Sequence, residues 1–473
     1  MKALLYLFAP CIALPTGTVH AQQTPPSELS WQVGDLSLNA SMDVNAYYYA
    51  MRGTWWGLAP SNYNTNRSWA ELWVHPRVNA TYAIDAERQF FGGVSLGITK
   101  DIGGNPYDYH NQGDTHAENA FIGYRAGSQQ GWHYEISGGR QPFTLGTGML
   151  LTAGSSNGTE WGGSASCKRI AWQNTAIAKI GYGNTAAQAF WINPAETPSA
   201  ETHTRITGAS VEWADKNKGK AGLAYLHVPK SDAIYPGSLA PFAFIEKGRE
   251  GMNAYHGWSE LKGFFGQLPA LSLRGEFAIE NGRVTRLSGL HDKMKAYAWY
   301  LGGSYWFQQW PFAPKISYGY GYFSGDKHDT AKYERFDPMF WGNGLDNWWF
   351  GANGSYSYLN SNIKYHRLTI DAYVSAKDIL KFQYVRADAA QLNSPIQFGQ
   401  GVRFASGSYS PVVGVDSKHL SDEFMLQYVH LFSPKIALST YVSQSLPGKG
   451  LRALATPTSQ NWTAFGMGIS ASF

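Results

Sequence analysis

Cysteine is almost missing from this sequence. Of its 473 residues only Cys11 and Cys167 carry a thiol, and Cys11 lies in a segment read below as a removed leader, so no disulfide within the mature chain is expected. Long apolar runs are missing too. Nothing approaches the roughly 20 residues that a membrane-spanning helix requires, and mean hydropathy is −0.31. Charge is scarce and nearly balanced, with 38 Lys and Arg against 34 Asp and Glu. That balance is too even for a general phosphate-backbone binder, so no nucleic-acid partner is expected. Asp326, Asp329, Asp337 and Asp346 carry oxygens suited to Ca²⁺, but their spacing matches no defined calcium loop. Neither a metal nor a cofactor is expected. His256, His366 and His430 are scattered with no Ser and acid grouped around them, which makes an enzyme the weakest reading.

Aromatic residues and glycine are abundant: aromatics make up 15% of the chain, and there are 52 Gly. The start, MKALLYLFAPCIALPTGTVHA (residues 1–21), has a positive Lys2, an apolar core and a small-residue end. It reads as a secretory signal peptide. A short periplasmic segment is expected over 22–33 and the folded body over 34–473. A secreted chain rich in Tyr, Trp and Gly, with neither helical spans nor disulfides, points to a β architecture that closes on itself with lipid outside.

Strict alternation supports this. In KISYGYGYF (315–323) Ile316, Tyr318, Tyr320 and Tyr322 share one face, and Lys315, Ser317, Gly319 and Gly321 the other. In LSLRGEFAIE (271–280) Leu271, Leu273, Phe277 and Ile279 oppose Ser272, Arg274, Glu276 and Glu280. About eighteen such segments run from 34–51 to 462–473. Short connections such as 85–88, 127–130 and 377–378 alternate with long ones such as 52–67, 100–115, 142–168, 281–293 and 325–362. The expectation is an all-β transmembrane antiparallel barrel of about 18 strands in the outer membrane of a Gram-negative bacterium, with short periplasmic turns and long extracellular loops. The aromatics Tyr47, Tyr48, Tyr49, Trp55, Trp56, Trp299, Trp306 and Trp310 fall towards strand ends, at headgroup level. The last strand, NWTAFGMGISASF, closes the barrel. Its Phe473 is expected to be read by the barrel-assembly machinery.

A charge facing lipid at mid-depth costs roughly 2–4 kcal/mol on a barrel surface, so the charged face of each strand is the lumen. Parity places Arg77, Arg125, Arg169, Lys179, Arg274, Arg367 and Lys381 inside, against Glu71, Glu276 and Asp371. Ile170 and Trp172 are expected to face out. The positive excess favours small anions or an anionic polysaccharide as the solute. Arg140 has the wrong parity, so either a bulge at Gly138-Gly139 re-aims it or it lies beyond the hydrocarbon. The longest loop, 323–360, is too aromatic to wave in water and is expected to fold inward.

That loop contains SGDKHDTAKYERFDPMFWGNG (324–344), which resembles the SGD…FDPLFxG loop of the alginate-export family of outer-membrane porins. Gly139-Arg140-Gln141 is similar to the family's GRQ strand exit. The resemblance implies an eighteen-stranded barrel with an Arg-lined electropositive constriction through which an anionic exopolysaccharide leaves the cell. By position it carries over Arg140 and Arg335 with Asp337, the latter two joined by Trp341 as a loop plug. A general or sugar-selective diffusion porin for uptake is the alternative.

Overall fold

A computed structural model describes residues 29–54, 64–106, 109–128, 130–156, 158–166, 169–198, 201–236, 244–264, 267–286, 288–327, 330–342, 348, 350–396, 414–453 and 460–473. The signal segment 1–21, Trp55, Trp56, Cys167, Asp329 and Asp346 lie outside the described residues.

Eighteen strands form one closed antiparallel sheet. They are β1 (Leu36–Arg52), β2 (Arg67–Ala83), β3 (Arg88–Gly104), β4 (Gly113–Gly127), β5 (Trp132–Pro142) and β6 (Ala171–Tyr182). Next come β7 (Thr185–Asn193), β8 (Arg205–Asp215), β9 (Gly219–Lys230), β10 (Asn253–Lys262), β11 (Leu271–Arg286) and β12 (His291–Trp306). The circle finishes with β13 (Lys315–Phe323), β14 (Ile363–Tyr373), β15 (Asp378–Ala389), β16 (His419–Ser433), β17 (Ile436–Pro447) and β18 (Trp462–Ser472). Each pairs with its neighbours in sequence, and β18 pairs with β1 from Ser472↔Asp43 to Thr463↔Arg52. The Phe473 N–H donates to the Met42 carbonyl at 2.9 Å. Closure leaves no unpaired backbone edge around the barrel, the condition for crossing hydrocarbon with strands. A short strand, Leu29–Val33, folds back on the start of β1.

Period-2 patterning sets the two faces. Leu72, Val94, Ile122, Leu223 and Leu301 point outward and are exposed, and alternate positions such as Glu71, Ser95 and Glu276 point inward and are buried. The inner space contains the aromatic and aliphatic core.

The structure corrects the sequence reading in three places. First, the polar stretch 281–293 is not a long loop: β11 and β12 run on to Arg286 and His291. Their inward residues Val284 and Met294 are buried, so packing continues the strands while their polar residues stay outside. Second, Trp172 faces inward and is fully buried, with its indole N–H donating to the Phe143 carbonyl at 2.9 Å. The β5–β6 register shifts between Gly139 and Gln141, which inverts the parity at that end. The strand also begins at Ala171, leaving Arg169 in the preceding connection. Third, Tyr47 and Tyr49 belong to the inner core, stacked towards Trp69, while Tyr48 alone of the three faces outward.

Candidate functional site: a lumen crossed by two loops

The connections β5–β6 (143–170) and β13–β14 (324–362) fold into the barrel and join there. The Phe340 N–H donates to Leu150 at 3.0 Å, Thr152 N–H to Phe340 at 2.8 Å and Gly342 N–H to Gly148 at 2.9 Å. Around this seam Leu145, Met149, Leu150, Leu151, Phe336, Trp341 and Phe350 are buried together. The 324–362 loop reaches the wall through Trp348, which packs edge-on to Tyr300 and Phe323, and through Tyr356 against Trp69.

Wall carboxylates hold these loops by accepting their backbone N–H groups. Glu71 of β2 accepts from Ser166 N–H at 2.7 Å and Ala165 N–H at 3.1 Å. It also accepts from the Ser166 hydroxyl at 2.7 Å. Asp101 of β3 accepts from Gly163 at 2.8 Å, and Glu118 of β4 from Ile170 and Ala171, both at 3.1 Å. Glu280 of β11 accepts from Asp337 at 2.9 Å. Glu423 of β16 accepts from Asn353 at 3.1 Å and Gly354 at 2.9 Å. A buried N–H left unmade costs about 1–3 kcal/mol, and a buried carboxylate needs several donors. Glu71, Glu118 and Glu423 each meet several donors, whereas Asp101 Oδ2 and Glu280 Oε1 meet none among the described residues.

Asp337 is the hub of the longer loop. It is buried with Arg249 from the β9–β10 connection, whose Nε and Nη2 donate at 2.7 and 3.0 Å. The Tyr235 hydroxyl also donates to it. Burial opposes ionisation of Asp337, but the Arg249 charge and these hydrogen bonds outweigh it and hold the carboxyl below its ordinary value. Burial likewise opposes the Arg249 charge, and Asp337 and Tyr235 overcome it, so that pKa is raised. Arg335 is buried nearby, its Nε donating to the Pro395 carbonyl at 3.2 Å.

The other residues singled out from the sequence are spread around the wall. Arg77 pairs with Asp43 at 2.8 Å. Arg125 lies over the Phe91 ring at 5.1 Å. Arg140 follows Gly139, which has φ +116°, and stays paired with Ala120 on β4; the extra residue of the register shift is on β6, where Gln173 and Asn174 together stand against Arg140. A Cβ on Gly139 would sit 2.4 Å from the Ala120 carbonyl, so glycine is required there. Arg140 Nε donates to Glu118 O at 3.1 Å. Arg169 is completely buried over Trp161, donating to Thr99 Oγ1 at 2.8 Å. Arg274 is sandwiched between Tyr300 and Trp348, 4.5 Å from each centroid, and donates to Thr147 Oγ1 at 2.8 Å. Arg367 is half-buried and inward, opposite Val385 and Gly319. Among the described residues there is no group of three or more His, Cys, Asp or Glu that would hold a metal.

The family profile for alginate export matches residues 59–465. The chain belongs to the alginate-export family. Its barrel is similar to two solved Pseudomonas aeruginosa structures. OpdL aligns at TM-score 0.50 and 9% identity over 92% of this chain and 98% of OpdL. OccK11 (OpdR) aligns at TM-score 0.50 and 10% identity over 92% and 96%. At these identities the likeness concerns fold alone. A search of curated protein sequences returns no match. This alginate-export family member is an outer-membrane β-barrel channel of a Gram-negative bacterium.

Inward acids that the sequence reading missed change its charge balance. Asp43, Asp101, Asp114, Glu118, Glu135, Glu212, Glu260 and Glu423 all face in, so the wall as a whole carries no large positive excess. Glu135, Glu260 and Glu423 follow the same period-2 parity and were legible from it; Glu118 is the extra residue of a β3–β4 bulge and was not. Where the short connections lie, register forms three cross-strand rows: Arg125–Glu135–Lys179, Lys220–Glu260–Arg274 and Lys315–Asp371–Lys381. In each, one acid stands between two cations. Lys179 Nζ is 3.0 Å from Glu135, Lys220 Nζ 3.5 Å from Glu260 and Lys381 Nζ 3.6 Å from Asp371.

Proposed function

We propose that this channel passes anionic solutes from the periplasmic side outward, with an acidic exopolysaccharide of the polyuronate class as its cargo. The observation that carries the reading is the belt of three cation–acid–cation rows. Each row has a surplus positive charge, and all three lie within a few residues of the short-connection ends, the periplasmic mouth of such a barrel. Acids nearer the other mouth are occupied by loop N–H groups. A polyanion arriving from the periplasm therefore meets guanidinium and ammonium groups first, and Arg suits the planar carboxylate. The two joined loops narrow the path beyond the belt. The family match supports polysaccharide export. The alternative, diffusive uptake of small solutes, is favoured by the porin-like fold alone.

The test is the zero-current potential of the purified protein in a planar bilayer under a salt gradient. The native channel is expected to be anion-selective. Changing Arg125, Lys179, Lys315 and Lys381 together to Gln should move the potential towards cation selectivity, most clearly at low salt, since the Debye length is about 10 Å at 0.1 M. Native cation selectivity would end this reading.

A further inference from the structure

One patch of charge lies outside the lumen, on the outward face of β11 and β12. β11 and β12 have 16 residues each. At about 3.3 Å per residue and a tilt near 40°, such strands span roughly 40 Å of barrel height, against an apolar band of ~25 Å. Their upper ends therefore rise through the extracellular headgroup level. On the outward face Leu301 is exposed. Above it is a layer of packed rings, Trp299 tilted against Tyr320 at 5.1 Å and Tyr297 stacked on Tyr322 at 5.5 Å. Directly above the rings come Lys295 and then Lys293.

Register adds two more cations. Lys293 stands opposite Arg283 on β11 and opposite Lys332 in the two-residue strand Lys332–Tyr333 on its other side. Three positive side chains thus sit in line on adjacent strands, with Lys295 one outward position below, opposite Asn281. All four are exposed. Among the described residues none of the four is in an ion pair. Among the described residues the acids nearest in sequence are otherwise engaged: Glu280 accepts from Asp337 N–H at 2.9 Å, Asp292 pairs with Arg286 at 2.5 Å, and Glu334 accepts from the Thr330 hydroxyl at 3.4 Å. Like charges directly opposite one another destabilise a sheet, so this arrangement calls for a bound anion.

We propose that Arg283, Lys293, Lys295 and Lys332 bind the phosphate groups of an outer-leaflet glycolipid. Its acyl chains would lie along the ring layer and Leu301 below. The location selects the source. The patch faces away from the lumen and continues an aromatic girdle, where a lipid places its phosphates, whereas a permeating polysaccharide would not touch it. The inference rests on the outer-membrane placement and is independent of pore selectivity.

The full-length protein is reconstituted in phosphatidylcholine nanodiscs containing a minor fraction of bis-phosphorylated lipid A, or the same lipid with its phosphates removed. Lipid retained after transfer to detergent is counted by native mass spectrometry. The phosphorylated form should be retained and the dephosphorylated form lost. Changing all four cations to Gln should weaken retention by roughly a hundredfold or more, and Lys216→Gln with Lys218→Gln in the β8–β9 turn should leave it unchanged. Should the quadruple variant not give a heat-modifiable barrel, Lys295→Gln and Lys332→Gln singly should each weaken retention about fivefold. Equal retention of both lipids, or undiminished retention by the folded variants, would overturn the proposal. So would displacement by inorganic phosphate or by soluble polyuronate, which would assign the patch to a free anion or to the polysaccharide.

Discussion

Replacing Glu71 by Ala should release one infolded loop without unfolding the barrel. The carboxylate is 2% exposed and accepts from five donors. Four come from the loop: Ser164 Oγ at 3.2 Å, Ala165 N–H at 3.1 Å, and Ser166 N–H and Oγ at 2.7 Å each. The fifth is Trp69 Nε1 at 2.7 Å. Hydrogen bonds to a charged group contribute about 1.5–3 kcal/mol each, but they are not additive, and the hydroxyls regain water when the loop opens. Two backbone N–H groups losing their acceptor give a shift of about 3 kcal/mol, a factor of roughly 150 in the open-to-closed ratio. Glu71→Gln keeps one acceptor oxygen but turns an NH₂ towards donors, so it should lie between. Single-channel recording should show frequent excursions to higher conductance, and limited proteolysis should cut within 158–170, while the heat-modifiable band persists. A quiet trace and native protease resistance in a folded Glu71→Ala barrel would refute the idea that wall carboxylates anchor the loops.

Two other perturbations address the longer loop. Asp337 has a folded pKa below its unfolded value of ~3.9, so its stabilisation is complete above that value and is lost as pH falls through the lowered one. Native channels should become noisier only below about pH 4, and Asp337→Asn should be noisy already at neutral pH; identical pH profiles would remove Asp337 from the account. Deleting residues 328–350 removes Arg335, Asp337 and Trp341 and should raise single-channel conductance several-fold. Unchanged conductance in a folded deletion variant would show that the loop does not narrow the path.

The barrel was legible because alternation is local. Each strand carries its own period, as in Ile316–Tyr322, and eighteen repeats with a short–long rhythm leave few other folds. Register-dependent features were not. Glu118 and Trp172 depend on bulges, which add one residue and invert parity with no compositional mark. The Arg249–Asp337 pair joins residues 88 apart, and Glu423 meets Asn353 across 70; periodicity says nothing about such separations. The stretch 281–293 looked like a loop because polar residues above the hydrocarbon are outward-facing rather than unstructured. The aromatic content of 323–360 gave the right sense for the loop, since rings such as Phe336 and Trp348 need shelter and the lumen wall supplies it.

The claim that a polyanion enters from the periplasmic mouth is tested most directly by adding an oligouronate to one side of a bilayer holding uniformly oriented channels. Added to the short-turn side, under a potential that drives anions inward from that side, it should interrupt the current at concentrations well below those needed from the loop side. The asymmetry should collapse when Arg125, Lys179, Lys315 and Lys381 are all changed to Gln. Block that is equal from both sides, or stronger from the loop side, would contradict the account.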